Sequence, residues 1–226
     1  MTPKYSYLLG KSSKIDKSDK YTDYENYIMY LAPHTISGIN VCPHASPGCA
    51  AACLFTAGRG RFNNVQLARL NRTRHYISDR KGFLLRLEKE ITSKKHKKLA
   101  IRCNGTSDIN WISFIRRIHK KHPKIVFYDY TKNPSIAKRA LEIPYYHVTF
   151  SRSETNEAIS LELLKLGINV AVVFKELPKT WKGYKVIDGD KTDARFLDDV
   201  GVIVGLKAKG DARKPEAIKN GFVVNV

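Results

Sequence analysis

Residues 145–174 read YYHVTFSRSETNEAISLELLKLGINVAVVF. Tyr145–Phe150 has the aromatic and β-branched content of a strand. The polar SRSETN breaks it, Asn156 starts the helix EAISLELLKLG, and Gly167 closes that helix. Ile168–Phe174 is then apolar almost throughout, as expected of a parallel strand covered on both faces. Strand, helix and strand make one βαβ unit, whose crossover is expected to be right-handed.

Similar units extend to both sides. Tyr27–Pro33 (YIMYLAP) reads as a short apolar strand, and residues 63–93 as a long helical region broken near Ser78 and Asp79. Leu99–Cys103 is a strand, and Asn110 caps the helix WISFIRRIHKK. Ile125–Tyr130 is the next strand, after which Asn133 and Pro134 open a short helix. YKVID, a helical turn near Ala194–Leu197, GVIVGLK and a final FVVNV complete the series. Such a run of strands and helices suits an α/β fold, a full or partial parallel (β/α) TIM-type barrel, better than a small doubly wound sheet. A dinucleotide-binding sheet would carry a glycine-rich turn after its first strand. Here a cysteine loop stands there instead. Residues 1–26 are polar and read as a mobile or loosely docked N-terminal arm, leaving 27–226 as a single domain.

Forty Lys and Arg against 21 Asp and Glu give a net charge of +19, the balance of a phosphate-binding surface. Lys94, Lys95, Lys97 and Lys98 form one run; Arg116, Arg117, Lys120 and Lys121 form another. No stretch is long and apolar enough to span a membrane, and MTPKYSYLLGKSSK lacks the apolar run of a secretory signal. A cytoplasmic protein with nucleic acid as partner is the expectation.

The polar residues collect after the strands. Asn104, Thr106 and Asp108 follow one; Asp129, Tyr130, Thr131 and Lys132 end another. Ser151, Arg152, Ser153 and Glu154 follow a third; Asp188, Asp190 and Asp193, then Lys207 and Lys209, follow two more. Parallel β/α folds place their sites at the carboxyl ends of strands, so one rim site is expected. Asn104, Asp108, Asp129, Ser151, Arg152, Asp188 and Lys207 are its candidate catalytic groups, with Thr106, Asp190 and Lys209 as cofactor-binding groups. Asn110, Asn133 and Asn156 are read as caps only.

Cys42, Cys49 and Cys53 lie in VCPHASPGCAAAC with the spacing C-x6-C-x3-C. In a chain without an export signal, three close thiols point to metal rather than disulfides. Thiolates suit iron–sulfur clusters or Zn²⁺, and three protein ligands leave one position open. Cys103 or His44 is the candidate fourth ligand, and either would close the site. Next to the loop, Arg59, Arg61, Arg69, Arg72 and Arg74 form a basic stripe with no Asp or Glu between Leu54 and Ser78. Arg69 and Arg72, three apart on a helix, are expected to share a face and grip phosphate.

The segments NGTSDINW, FYDYTKNP, HVTFSRSETN, VIDGDKTDARFLD and GVIVGLKAKGDARK, with the cysteine loop, resemble a family of phage- and prophage-encoded proteins, the phage gene product 88 group. The similarity runs from Tyr27 onward; it implies a phage origin and, by itself, no chemistry. CPHASPGCAAAC is also remotely similar to the three-cysteine SPGC segment of a barrel-shaped, radical-enzyme-like phage family, although the cysteine gaps differ and are not the C-x3-C-x2-C of the main enzymes using S-adenosylmethionine. Three readings follow. The first is an iron–sulfur, radical-SAM-like barrel enzyme acting on a nucleic acid or nucleotide, with S-adenosylmethionine at the open iron. The second is a non-catalytic, zinc-containing nucleic-acid-binding or replication-associated protein. The third is a metal-dependent nuclease, with Asp108, Asp129, Asp188 and Asp190 as Mg²⁺ ligands.

Overall fold

A computed structural model describes residues 5–94 and 98–226; Lys95 and Lys97 of the first basic run lie outside the described residues. In chain order the elements are β1 (Leu9–Gly10), α1 (Ser13–Tyr21), β2 (Glu25–Met29), α2 (Pro47–Ala51), α3 (Asn63–Ser78), α4 (Arg80–Thr92) and β3 (Leu99–Arg102). Next come α5 (Ile112–Lys121), β4 (Val126–Thr131), α6 (Pro134–Ala140), β5 (Tyr146–Ser151), α7 (Glu157–Lys165) and β6 (Val170–Phe174). The last are β7 (Thr180–Trp181), β8 (Tyr184–Asp188), β9 (Ile203–Lys207) and α8 (Pro215–Lys219).

The strands form one sheet in the order β1-β2-β3-β4-β5-β6-β9-β8-β7. The seven inner strands are parallel, and the two-residue β1 and β7 pair antiparallel at the edges. The fold is therefore α/β with a mostly parallel sheet. Among the described residues the edges do not pair with each other, so the sheet is not closed. From β2 to β6 the strands stand in chain order, as successive strands of a barrel do.

One face is dry. Ile112, Ile115 and Ile118 of α5 pack with Phe83, Leu87 and Ile91 of α4 against Ile101 and Phe127. Leu163 and Leu164 of α7 cover Phe150, Val170 and Val172. Each such side chain, fully buried, stabilises the fold by about 1.5–3 kcal/mol. The period of two puts Arg102, Tyr128 and Tyr130 on the opposite face, where Phe196 meets Tyr128 and the Arg102 guanidinium lies 4.4 Å from the Tyr130 ring. Asp193 joins that face to α1: Arg102 Nη1 is 2.9 Å away, Lys14 Nζ 3.2 Å, and Ser18 Oγ accepts its N–H.

The break in the long helical region falls where Asp79 caps α4 by accepting the Gly82 N–H at 2.8 Å. Residues 5–26, expected as a mobile or loosely docked arm, instead form an edge strand and a helix that bury Leu8, Leu9 and Ile15. Ser12 caps that helix. FVVNV is a tail with a single parallel bridge, Val224 to Phe174.

Candidate functional site

After β2 the chain crosses the carboxyl ends of β3, β4 and β5. Backbone bonds fix this course: Gly105 N–H donates to Met29 O, and Asp108 N–H to Val41 O, both at 2.9 Å. Thr106 Oγ1 donates to Leu31 O. Within the loop, Ser46 caps α2 by accepting the Cys49 N–H at 3.2 Å, and Pro47 stands at the first helical position. Glu154, from the turn after β5, accepts the Gly48 N–H at 2.7 Å and the Ser46 hydroxyl at 2.8 Å. The SPGC segment thus reads as cap, helix start, close approach and thiol.

The three thiols influence one another's ionisation. Cys42 is half-buried, and its Sγ donates weakly to Thr106 O at 3.6 Å. Burial pushes the Cys42 thiol up to about 11, and Cys53, Asp108 and Cys49 add to the rise. Burial raises Cys53 as well; Cys49 opposes its ionisation, whereas Arg69 and Lys132 favour it. The thiols therefore face one another electrostatically, yet no three His, Cys, Asp or Glu side chains among the described residues are gathered closely enough to hold a metal ion. Among those residues none of the four cysteines is in a disulfide. Neither candidate fourth ligand joins them. Cys103 is buried in the helix-covered core beside Asp129, and His44 is exposed.

Asp108 stands beside the loop, accepting the Thr131 hydroxyl and the Lys132 N–H. Lys132 Nζ donates to Ser151 Oγ at 2.9 Å. Contacts thus run from Cys42 to Thr106 and from Asp108 through Lys132 to Ser151, while Glu154 holds the cysteine loop, so Lys132 and Glu154 join the candidates. Both of those lie in the polar segments after β4 and β5, which is the signal that finds them.

The remaining candidates go elsewhere, for identifiable reasons. Asp129 points to the helix-covered face, because alternation along β4 gives the other face to Tyr128 and Tyr130. It is fully buried, accepting the Asn104 N–H at 2.6 Å and the Tyr146 hydroxyl at 3.2 Å. Asn104 is itself a structural clamp, its Oδ1 accepting from Ser107, Ile109 and Trp111. Arg152 is held by Gly221 O, Phe222 O and Glu157 and fastens the C-terminal tail. Asp190 accepts from Lys209 Nζ at 2.6 Å and from the Lys207 N–H, while Asp188 Oδ1 turns back to the Asp190 N–H. Lys207 also lines a cleft of about 400 Å³ with Lys175, Glu176 and Arg213. These groups are thus engaged by partners of their own. Cys49 and Ala52 pack on Ala212, Ala217 and Phe222.

The basic stripe divides. Arg59, Arg61 and Arg74 are exposed. Arg72 turns to the N-terminal segment, donating to Tyr7 O at 2.8 Å. Arg69 is buried. Of the capping asparagines, Asn133 caps α6, whereas Asn156 Oδ1 accepts the Ser153 N–H and stiffens the turn carrying Glu154.

The family described as Gene product 88 matches residues 7–225, nearly the whole chain. The chain belongs to this phage gene product 88 family. No curated protein and no solved structure matches it. Among the described residues no helix is long and apolar enough to cross a membrane.

Proposed function

We propose that this member of the Gene product 88 family is an iron–sulfur enzyme, radical-SAM-like in layout, with its centre at the cysteine loop and a nucleotide or nucleic acid as substrate. The observation that carries the reading is that Cys42, Cys49 and Cys53 lie on one loop over the strand ends and each influences the charge of another, while Cys103 is buried in the helix-covered core. The donor set fits such a group: three soft thiols on a loop rich in Ala and Gly, with Arg69 and Lys132 supplying positive charge. A cluster held by Cys42, Cys49 and Cys53 would leave one iron without a protein ligand, open to a small molecule such as S-adenosylmethionine.

The chain's own residues do the rest. Glu154 and Ser46 hold the loop over the strand ends. Lys132 and Ser151 offer donors to an anionic group of the substrate, and Asp108 is fixed as an acceptor. Exposed Arg59 and Arg61 supply phosphate contacts in the net charge of +19. The nuclease reading is not favoured, because Asp129 is buried on the helix-covered face and Asp190 is engaged by Lys209 Nζ and the Lys207 N–H.

Anaerobic reconstitution with iron and sulfide tests the centre. The unaltered chain and Cys103→Ala should take up iron and gain visible absorption, whereas Cys42→Ala, Cys49→Ala and Cys53→Ala should not. Zinc bound with no iron uptake selects the non-catalytic reading, and retention of metal by all four variants removes the centre. For the partner, Arg59→Gln with Arg61→Gln should flatten the salt dependence of oligonucleotide binding by up to about two counterions. An unchanged slope removes these residues from the interface.

A further inference from the structure

The strands from β2 to β6 stand in chain order, and beyond β6 the order reverses to β9, β8, β7. Open α/β sheets bind their ligands outside the carboxyl ends of the strands at such a reversal, where the connections leave a crevice. A cleft of about 400 Å³ occupies that place here, a size suited to a small molecule. Lys207, which lines it, ends β9 level with Phe174 of β6, and Lys175 follows Phe174 directly. Backbone bonds hold the two ends in place: Ala208 N–H donates to Phe174 O at 2.9 Å, and Lys175 N–H to Val224 O at 3.0 Å.

The cleft is basic. Lys175, Lys207 and Arg213 line it against one carboxylate, Glu176. Lys207 Nζ stands 3.5 Å from that carboxylate, but both side chains are largely exposed and the pair is weak. Lys175 and Arg213 have no carboxylate partner among the described residues. The neighbouring acids do not supply one, since Asp190 is bonded to Lys209 at 2.6 Å and Asp211 to Lys214 at 2.7 Å. Arg213 is fixed through its Nε, which donates to Ala208 O at 3.1 Å, and its Nη groups are left to meet an anion. Ile218, Ala212 and Val223 complete the lining and belong to one apolar cluster.

We infer that this cleft binds a nucleotide, free or as one unit of a strand, with its phosphate on Lys175, Lys207 and Arg213 and its sugar or base against Ile218. A bare anion would use the cations alone; the apolar lining suits a ligand with a body to bury. No cysteine-loop residue lines the cleft, so the inference shares a ligand class with the proposed function and needs no metal centre.

Equilibrium dialysis of the metal-free chain against adenosine monophosphate, adenosine and inorganic phosphate tests the site. Adenosine monophosphate should bind tightest of the three. Lys175→Gln and Arg213→Gln should each weaken it about tenfold, the loss of one charge-assisted hydrogen bond. Glu176→Gln, which removes the competing carboxylate, should tighten it. Arg116→Gln with Lys120→Gln removes two charges from α5 and should change nothing, which separates the cleft from diffuse attraction to the net charge of +19. Lys175 and Glu176 are exposed, so their variants should melt with the unaltered chain and keep the test valid whatever Arg213→Gln does to its turn. A short single-stranded oligoadenylate that binds tighter than the monophosphate, with the same sensitivity to Lys175→Gln, identifies the ligand as a unit of a strand; one that binds no tighter identifies the free nucleotide. The inference is overturned if the monophosphate does not bind, or if adenosine or inorganic phosphate binds as tightly. It is equally overturned if Lys175→Gln and Arg213→Gln leave the affinity unchanged, or if the α5 variant loses as much as they do. Iron uptake by the cysteine loop bears on none of these outcomes, so the two readings fail separately.

Discussion

At Gly48 an added Cβ would lie 2.8 Å from both Glu154 carboxylate oxygens and 2.8 Å from the Phe222 Cβ. Three parts of the molecule meet at this residue: the cysteine loop, the turn after β5, and the C-terminal tail that Arg152 fastens. Neither Glu154, already bonded to Gly48 N and Ser46 Oγ, nor Phe222, packed on Ala52 and Ala217, is free to withdraw. Gly48→Ala should therefore cost about 1–3 kcal/mol of stability, the usual cost of overpacking. It should also speed the reaction of the loop thiols with a thiol reagent, since the clamp on α2 is displaced. Urea unfolding and the rate of thiol modification measure the two effects. A variant equal to the unaltered chain in both would mean that Glu154 does not hold the loop. Residue-scale reading of the sequence finds the thiols and the Glu154 turn, because unusual polar groups mark them. It misplaces Arg69, since spacing by three says which helix face a residue is on and nothing of the Tyr30 and Phe55 rings that cover it.

Among the elements, the N-terminal segment is attached in an unusual way. β1 is two residues long, so few ladder bonds hold it. Side chains of α4 do so instead: the Glu90 carboxylate accepts the Leu8 and Leu9 N–H groups at 2.9–3.0 Å, and Arg86 Nη2 donates to Ser6 O at 2.7 Å. Glu90→Ala leaves two backbone donors without their charged acceptor and should cost about 1.5–3 kcal/mol. Glu90→Gln, which keeps one accepting oxygen, should recover roughly half of that. Urea denaturation of the two variants, with limited proteolysis ahead of Ser12, gives the measurement. Equal stability of Glu90→Ala and the unaltered chain would show that the segment is held by Leu8 and Leu9 burial alone. These contacts are illegible in sequence because the partners stand about eighty residues apart and residues 1–26 look too polar to pack. The βαβ units are legible for the opposite reason. Asn133, Gly167 and the apolar run of β6 are local signals, each placed where the helix or strand needs it.

At the scale of the whole molecule, a sheet with one apolar and one polar face decides which rim residues can share a site. Sequence order puts Asp129 at the end of β4, beside the polar segment that carries Lys132. Alternation then turns it into the dry layer, among Tyr146, Cys103 and the Asn104 N–H, with Asp108 and Arg102 as the nearest charges. Burial raises its carboxyl to about 7, against the lowering effects of the Asn104 N–H, Arg102 and Tyr146. An ordinary aspartate titrates near 4, so the folded chain binds this proton more tightly than the unfolded chain does. The contribution is fully present below about pH 4 and is lost as the pH rises through about 7. Asp129→Asn keeps the acceptor for the Asn104 N–H and cannot ionise. Its stability relative to the unaltered chain should rise steadily between those limits, by as much as about 4 kcal/mol for a shift of roughly three units. Other titrating groups cancel in the difference, so urea unfolding of the pair at pH 4, 5, 6, 7 and 8 isolates Asp129. A difference that stays constant across the series would mean that Asp129 titrates near 4 in the folded chain as it does unfolded, and the side chain would then have to be open to solvent or to a cation from the rim.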